Sequence, residues 1–260
     1  MITNKQKIVN NSYALVTARS TSTRLPNKCF QLITDDLSTI QVVIRRAKKI
    51  GCPVILATTE DPSDDRLEEI SLKEDILCFR GAIKNKIRRW SDCFRKYSIT
   101  EGLLVDGDDP TFDFNVGARA LDQLREDEPD MVFISPEMTP GFFTYGITRK
   151  GIEKLLTQAS DPEMDTDVIT EFINSAGLTK SYVSTMPEET EGHNVRLTVD
   201  YPEDIEFYRA LYGKVNYLAP SPKIVRVALM NNLQKINWHK QAQFLENQRK
   251  FNESVKKGGL

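Results

Sequence analysis

Short apolar runs alternate with amphipathic stretches along the first half of the chain. The apolar runs lie at residues 12–18, 53–59, 75–79, 102–106 and 130–134. Between them, apolar residues recur every three or four positions, as in amphipathic helices, near residues 38–50, 61–74, 85–99 and 115–127. Strands that alternate with helices at this spacing predict parallel strands joined by right-handed crossovers, and therefore an α/β fold.

The second half of the chain is less regular. Its pattern predicts strands at 143–148, 180–185 and 195–199, and helices at 149–159, 165–176 and 201–213. Pro202 and Gly213 are typical residues for the two ends of the last helix. Residues 218–223 form a predicted linker, and the polar tail after it is helical. We predict an α/β domain over residues 1–217 and a linker with a helical tail over residues 218–260.

Composition narrows the class of protein. Lys and Arg number 35 against 37 Asp and Glu, and the net charge of −2 argues against a nucleic-acid coat or a polybasic membrane anchor. No apolar run approaches the roughly 20 residues that span a bilayer, and residues 1–11 lack the apolar core of a signal peptide. The four cysteines form no C-x-x-C pair and are typical of free thiols in a reducing compartment. We therefore expect a cytoplasmic protein that binds neither nucleic acid nor membranes.

Histidine is scarce, because the chain contains only His193 and His239. This scarcity argues against a Ser-His-Asp triad and against a three-histidine metal site. An enzyme of this composition would have to use carboxylates, a metal ion and cationic side chains.

The stretch "ARSTSTRLPNK" from Ala18 to Lys28 follows the first predicted strand. Its cations, Arg19, Arg24 and Lys28, can bind negative oxygens, and its hydroxyl and backbone N–H groups can donate to the same oxygens. The loop lacks the Walker pattern G-x-x-x-x-G-K-[ST]. A loop that wraps a polyphosphate and a solvated surface turn both account for this composition.

Carboxylates follow two further predicted strands. Asp106, Asp108 and Asp109 stand in "LLVDGDDP", and Asp200 ends "VRLTVD". A bound Mg²⁺ held by Asp108 and Asp200 would relieve the repulsion between such carboxylates. The alternatives are an Asp-rich turn at 106–109 and a helix N-cap at Asp200. Because ligands bind at the carboxyl ends of parallel strands, the cationic loop and the aspartates could face one crevice.

Five motifs occur in order across residues 14–213: "ARSTSTRLPNK", "ILATTEDPSDD", "CFRG", "GDDP" and "RLTVDYPEDIEFY". Together they resemble the cytidylyltransferase family that includes CMP-3-deoxy-manno-octulosonate synthetases. The nearest resemblance is to its spore-coat-polysaccharide, SpsF-like branch. The first and last motifs are fairly specific, and the resemblance covers about four fifths of the chain.

The resemblance implies a fold, a reaction and a cofactor. The fold is a three-layer sandwich of the nucleotide-diphospho-sugar transferase type with a mostly parallel sheet, here followed by the helical tail. The reaction uses CTP and Mg²⁺: a nucleophile attacks the α-phosphate and pyrophosphate leaves. The product is a CMP- or CDP-activated sugar, sugar acid or related metabolite for polysaccharide biosynthesis.

The resemblance also implies roles for single residues. The catalytic residues carried over are Arg19, Lys28, Asp108 and Asp200, of which Asp108 and Asp200 are the metal ligands. The nucleotide-binding residues carried over are Ala18, Arg19, Ser20, Thr21, Arg24, Lys28, Arg80, Gly81 and Asp106.

The chain departs from the branch on the side of the acceptor substrate. After "RG" it has the basic segment "AIKNKIRRW" where the branch is acidic, and "TDVITE" at 166–171 lacks the histidine of the branch. The cations of this segment, Lys84, Lys86, Arg88 and Arg89, favour an anionic small-molecule acceptor, although a solvated helix face explains them equally well. The aromatic stretch "FFTYG" at 142–146 is either core or a wall of the acceptor site.

Two other functions fit the same sequence. A glycosyltransferase of the same fold could use "DGD" at 106–108 as its D-x-D metal motif, and a non-catalytic relative could bind a nucleotide and regulate a partner. In the tail, the large apolar residues Trp238, Phe244, Leu245 and Phe251 predict docking against the main domain or a second subunit, because a polar helix gains little stability alone. We expect a homodimer built partly from this tail.

Overall fold

A computed structural model describes residues 11–22 and 24–257 of the chain, with side chains as far as Glu253. The strands are β1 (Ser12–Thr17), β2 (Val54–Thr59), β3 (Leu77–Gly81), β4 (Glu101–Asp106), β5 (Met131–Phe133), β6 (Tyr145–Thr148) and β7 (Lys180–Tyr182). They form one sheet in the order β3-β2-β1-β4-β6-β5-β7. All neighbours pair in parallel except β6, which is antiparallel to both β4 and β5. The predicted mostly parallel sheet is confirmed.

Nine α-helices belong to the described part of the chain. They are α1 (Thr39–Lys48), α2 (Asp65–Lys73), α3 (Lys86–Lys96), α4 (Phe114–Glu126), α5 (Arg149–Gln158), α6 (Thr170–Ser175), α7 (Pro202–Tyr212), α8 (Ser221–Met230) and α9 (Gln241–Lys257). A capping box of Ser38 and Gln41 begins α1. In the same way, the side chain of Asp113 accepts from two backbone N–H groups at the start of α4. No helix within the described ranges is both long and apolar enough to cross a membrane.

The sheet separates two hydrophobic clusters, because successive strand residues point to opposite faces. In β1, Ala14 and Val16 belong to one cluster and Leu15 to the other. Helices α1, α2, α4, α7 and α8 cover the first face, and α3, α5 and α6 cover the second. This arrangement is the predicted three-layer sandwich.

Helix α8 is part of the main core. Its residues Ile224, Val225 and Ala228 are fully buried in the first cluster. The buried guanidinium of Arg46 holds the preceding segment, because it donates to the carbonyls of Tyr217 and Ala219 and to the hydroxyl of Ser221. The predicted linker at 218–223 is therefore only partly a linker: residues 218–220 form a short anchored connection, and residues 221–223 belong to α8. The domain boundary at residue 217 stays a prediction.

Two predicted elements differ in the structure. Residues 195–199 do not pair as a strand; Val195, Leu197 and Val199 are buried in the first cluster, while the backbone crosses the carboxyl edge of the sheet. The predicted helix at 165–176 is shortened to α6, which begins at Thr170. In front of it, the hydroxyl of Thr166 accepts from the backbone N–H of Ile87, so this stretch packs on the start of α3 instead of coiling.

The loops that carry the predicted site residues meet because β1 and β4 are parallel neighbours. The N–H of Gly107 donates to the carbonyl of Thr17 at 2.8 Å. A Cβ at Gly107 would lie 2.7 Å from that carbonyl oxygen, so only glycine allows this approach. On the other side, the N–H of Val199 donates to the carbonyl of Asp108 at 2.8 Å. The backbone thus places three distant segments at one edge of the sheet.

Candidate active site

A cavity of about 620 Å³ opens at the carboxyl ends of β1 and β4. Its lining comes from the loop after β1, residues 106–109 after β4, residues 140–141, residues 165, 167 and 168, the stretch from 193 to 200, residue 238 and the inner side of α9. The start of α3 adds Lys86 and Arg89. Cavities at this edge of an α/β sheet are the usual ligand sites of the architecture.

Lys28 joins two carboxylates at the centre of this cavity. Its Nζ forms a very short hydrogen bond with Asp108 and donates to Oδ1 of Asp200 at 2.9 Å. Burial of the ammonium opposes its charged form, but the two carboxylates outweigh burial and raise the pKa of Lys28. Residues 28, 108 and 200, which are far apart in sequence, therefore form one cluster of charges.

Asp200 is the most heavily bonded member of the cluster. Besides Lys28, Arg24 donates to its Oδ1 through Nη2 at 2.5 Å, and Arg196 donates to its Oδ2 at 2.9 Å. Burial alone would raise the pKa of Asp200, but the cations Lys28 and Arg24 hold it at about 2. The carboxylate of Asp204, not that of Asp200, accepts from the backbone at the start of α7. The N-cap alternative for Asp200 therefore does not apply.

The remaining aspartates after β4 raise the density of negative charge. Burial, reinforced by the Asp108 carboxylate, raises the pKa of Asp106 to about 6. Burial and the charges of Asp108 and Asp106 also raise the pKa of Asp109 well above its ordinary value. Crowded carboxylates of this kind favour a bound cation.

The loop after β1 contributes only part of its predicted set. Ala18, Arg19, Thr21 and Arg24 border the cavity, and Arg19 forms an ion pair with Asp167 at 3.3 Å. In the same loop, Ser20 is buried outside the lining. Its N–H donates to Asp64 at 2.7 Å, and its hydroxyl bonds to Ser63. The polar groups of Ser20 are therefore bonded within the protein and do not face the cavity.

Arg80 and Gly81 also lie outside the described lining of the cavity. The guanidinium of Arg80 donates to the carbonyls of Thr59 and Asp61 and pairs with Asp65 and Glu68 on the surface. A Cβ at Gly81 would lie 2.8 Å from the ring of Phe79, so the glycine serves close packing. The structure does not bring these two predicted residues to the site, because their contacts are with β2, the turn after it, α2 and Phe79 of their own strand.

Helix α9 forms a wall of the cavity that the sequence did not predict. The ring of Phe244 lies under two guanidinium groups, with Arg196 at 4.6 Å and Arg24 at 5.8 Å from its centroid. Gln241 accepts from Arg196 at 3.0 Å. Residues 241, 244, 248 and 251 all line the cavity. Their spacing of three to four was visible in the sequence, but the mixture of amides and rings does not resemble an apolar stripe.

The oxygen ligands suit a hard cation. Asp108 and Asp200 already share the Lys28 ammonium, so their position favours positive charge. The described part of the chain holds no group of three or more acidic, histidine or cysteine side chains arranged as a metal cage. Mg²⁺ needs no such cage, because it usually takes one or two protein carboxylates and completes its shell with water and substrate phosphates. The two aspartates therefore fit Mg²⁺.

Comparisons with known proteins identify the family of the chain. A model of the cytidylyltransferase family matches residues 13–251. The spore coat polysaccharide biosynthesis protein SpsF of Bacillus subtilis is 22% identical over 214 residues, which cover 79% of this chain and 88% of SpsF. An uncharacterised protein of Methanocaldococcus jannaschii, MJ1063, is 24% identical over 76% of this chain and 81% of its own length.

Solved structures share the fold at low sequence identity. A cytidylyltransferase from Leptospira borgpetersenii has a TM-score of 0.75 at 21% identity, over 86% of this chain and 96% of that one. A CMP:2-keto-3-deoxy-manno-octonic acid synthetase complexed with CTP has a TM-score of 0.59 at 17% identity, over 78% of this chain and 99% of that one. The predicted resemblance and fold are confirmed: the chain belongs to the cytidylyltransferase family and is a nucleotidyltransferase.

Proposed function

We propose that the protein transfers a cytidylyl group from CTP to a small anionic acceptor. An acceptor oxygen forms a bond to the α-phosphorus, and the bond from that phosphorus to the bridging oxygen of the β-phosphate breaks. Pyrophosphate takes the electron pair of the broken bond. The product is a CMP derivative when the acceptor oxygen belongs to a carboxylate or to a hydroxyl, whose proton passes to the solvent, and a CDP derivative when it belongs to a phosphate.

The observation that carries this proposal is the charge cluster of Lys28, Arg24, Asp108 and Asp200. Two cations from the loop after β1 meet two carboxylates from other segments within one cavity. Such a cluster can bind the phosphates of a nucleotide and a divalent cation at adjacent positions. The membership of the cytidylyltransferase family supports cytosine as the base.

The cations of the loop are proposed to bind the triphosphate. Lys28 and Arg24 are bonded to aspartates in the ligand-free protein, and phosphate oxygens would compete for the same N–H donors. Arg19 stands at the rim of the cavity and has a carboxylate partner that is half exposed. Asp108 and Asp200 would hold Mg²⁺, which supplies neutralisation of the phosphate charge when it is bound. Asp106 is a further candidate for contact with the nucleotide.

The reaction does not require a histidine base. The ring Nε2 of His193 borders the cavity but bonds to the carbonyl of Glu137 at 2.8 Å. His239 lies near Glu203 on the surface, with an N–O distance of 3.8 Å. Positioning and neutralisation of charge are the main contributions of enzymes to phosphoryl and nucleotidyl transfer. A phosphate or carboxylate nucleophile needs no base.

The acceptor is proposed to be a sugar, a sugar acid or a related metabolite. One similar protein takes part in spore coat polysaccharide biosynthesis, and a similar structure is a synthetase that acts on 2-keto-3-deoxy-manno-octonic acid. The cations at the start of α3 support an anionic acceptor. The exposed part of α9 that faces the cavity offers amides and rings that suit a polar molecule with apolar faces.

The test is release of pyrophosphate. The protein is incubated with Mg²⁺, each of the four nucleoside triphosphates in turn, and a panel of sugar phosphates and sugar acids. We expect pyrophosphate release with CTP and with one class of acceptor, together with a new cytidylyl product. Turnover of a nucleotide sugar that releases only a nucleotide would instead identify a glycosyltransferase.

A further inference from the structure

The four cations near the start of α3 fall into two classes in the structure. Lys84 and Arg88 face solvent, where Lys84 pairs with Glu163 at 3.1 Å and Arg88 pairs with Asp92 at 3.0 Å. Lys86 donates to the carbonyl of Asp167 at 2.9 Å. Lys86 and Arg89 both border the cavity, but Arg89 differs from the other three cations because it is only 2% exposed. The solvated-face alternative therefore fits Lys84 and Arg88 but not Arg89.

The guanidinium of Arg89 has unused donors. Its Nη1 donates to the carbonyl of Ala82 at 2.7 Å. Its Nε is buried and has no acceptor, which is rare for a buried N–H group. No acceptor in the described part of the chain bonds to Nη2. Because Nη1 is bonded and Nε is enclosed, Nη2 is the donor that remains for the cavity.

No carboxylate neutralises Arg89 directly. The carboxylates whose charges favour the charged form of Arg89 are Asp64 and Asp167, and neither forms an ion pair with it; both are bonded elsewhere. Asp64 accepts from the N–H of Ser20 and from the hydroxyl of Thr58, and Asp167 pairs with Arg19. Burial, with the positive charge of Arg19 added to it, lowers the pKa of Arg89 to about 10, so the group is still charged at neutral pH.

A buried charge without a partner is costly, and proteins keep such charges at binding sites where a ligand completes the pair. Arg19 and Arg89 are close enough for their charges to repel, and together they hold more positive charge than the single carboxylate of Asp167. The planar fork of a guanidinium matches two oxygens of a phosphate or carboxylate. An oxyanion between the two groups would satisfy the free donors.

We infer that Arg89, with Arg19 beside it, forms a subsite for an oxyanion of the substrates, and this inference rests on the proposed function. The oxyanion is either a phosphate of the nucleotide or the acidic group of the acceptor. Both sources have the same chemistry, and binding experiments separate them. Arg89 is a binding residue in either case.

The experiment compares Arg89→Met, Arg89→Lys and the matched control Arg88→Gln, a neighbouring arginine on the solvent face. Calorimetry measures the binding of CTP, inorganic pyrophosphate and cytidine, and then of inorganic phosphate to protein saturated with CTP. We expect Arg89→Met to lose about ten- to a hundredfold in affinity for an oxyanion and to keep its affinity for cytidine. Arg88→Gln should match the wild type with every probe.

The pattern of losses identifies the source. Weaker binding of CTP and pyrophosphate assigns the subsite to the nucleotide, and weaker binding of inorganic phosphate alone assigns it to the acceptor. Arg89→Lys keeps the positive charge but not the paired donors of the guanidinium. Its affinity for the oxyanion should therefore lie between those of the wild type and Arg89→Met. Because the methionine removes an unpaired buried charge, the thermal midpoint of the ligand-free variant should not fall.

Unchanged affinity of both Arg89 variants for all the oxyanions would overturn the inference. A lower thermal midpoint with unchanged affinities would do the same, since it would give Arg89 a purely structural role. If the wild type binds pyrophosphate but does not discriminate CTP from the other nucleotides, the proposed function fails while the test of Arg89 remains valid.

Discussion

Lys28 stands where the carboxylates of Asp108 and Asp200 converge, and it bonds to both. Its position explains how the protein keeps the partly exposed carboxylate of Asp108 close to the buried carboxylate of Asp200. Without the ammonium, Asp108 and Asp200 would repel each other in a partly dry cavity. The same ammonium can donate to phosphate oxygens. Lys28 would therefore both neutralise the two aspartates and bind the phosphates of the nucleotide.

Replacement of Lys28 by alanine should therefore weaken nucleotide binding. The variant loses a charge-assisted hydrogen bond of about 1.5–3 kcal/mol, or about ten- to a hundredfold in affinity. Calorimetry with a CTP analogue that cannot release pyrophosphate measures the loss. Lys214→Ala, at an exposed position remote from the cavity, is the control. Equal affinity of Lys28→Ala and wild type would remove Lys28 from the nucleotide site.

Asp130 contributes to the stability of the fold and does not line the cavity. Its buried carboxylate accepts from Lys154 at 2.5 Å and from the N–H of Thr179 at 2.8 Å. Burial alone would raise the pKa of Asp130, but these hydrogen bonds hold it below its ordinary value of 3.8. A lowered pKa contributes stability above the unfolded-state value and loses it as the pH falls through the folded-state value.

We expect Asp130→Asn to lower the free energy of unfolding by about 1–3 kcal/mol at pH 7. The difference from wild type should shrink as the pH falls below 4, because the wild-type carboxylate then takes up a proton. Urea denaturation at several pH values measures this difference in the free energy of unfolding. Asp122→Asn, which removes an exposed carboxylate, is the control. A difference that stays constant from pH 7 to pH 3 would contradict the assigned pKa shift.

Among the helices and strands, α9 has a particular effect on the candidate site, because it forms one wall of the cavity. Phe244 covers the two guanidinium groups that hold Asp200. The sequence predicts that the apolar residues of the tail dock against the main domain or a second subunit. Phe244 packs on the main domain as expected. In contrast, Leu245 is 54% exposed and Trp238 is 39% exposed. Phe244 and Leu245 are adjacent in α9, but only Phe244 faces the cavity. Substitution of each in turn therefore separates an effect on the site from an effect on the helix.

Phe244→Ala should impair the enzyme, and Leu245→Ala should not. Loss of the ring exposes Arg24 and Arg196 to water, which weakens their hold on Asp200 and loosens the charge cluster. We expect a fall in kcat/KM of about tenfold or more, equivalent to about 1.4 kcal/mol. For Leu245→Ala we expect stability within about 0.5 kcal/mol of wild type. Similar kinetics of the two variants would mean that α9 does not shape the site.

For the whole molecule, the tail has two parts with different roles. Helix α8 belongs to the core, so truncation at Pro222 would remove Ile224, Val225 and Ala228 from it and destabilise the protein. A truncation after Lys240 removes only α9 and tests the tail as an assembly element. The homodimer stays a prediction, and light scattering of the full chain and of residues 1–240 examines it. The same number of subunits in the two proteins would show that α9 is not required for assembly.

The sequence predicts most of the sheet because local signals are strong there. Strands β1 and β4 are apolar runs that end at polar loops, and the capping box at Ser38 and Gln41 marks the start of α1. Residues 195–199 have the same alternation as a strand, yet they pair with no strand. Burial of alternate residues does not require a neighbouring strand, and sequence periodicity cannot tell these two cases apart.

The candidate site is predictable where its residues follow strands. Lys28 and Asp108 are brought together because their loops follow the parallel neighbours β1 and β4. Asp200 joins them from a segment that pairs with no strand but is held by the hydrogen bond from Val199 to Asp108. The roles of Arg89 and α9 depend on contacts between distant segments, which leave no local signal. Arg89 and Arg88 are adjacent and chemically identical, and only the direction in which α3 packs distinguishes the buried one.

The most direct test of the account is the rate of pyrophosphate release from CTP by Asp108→Asn. Asp108 is the better choice of the two proposed metal ligands, because its side chain is 27% exposed, whereas Asp200 also anchors Arg24 and Arg196. The account predicts a fall of about a hundred- to a thousandfold, an unchanged thermal midpoint, and normal activity of Asp122→Asn. Removal of Mg²⁺ with a chelator should reduce the wild type to a similar rate. A folded Asp108→Asn protein that releases pyrophosphate at close to the wild-type rate would contradict the account.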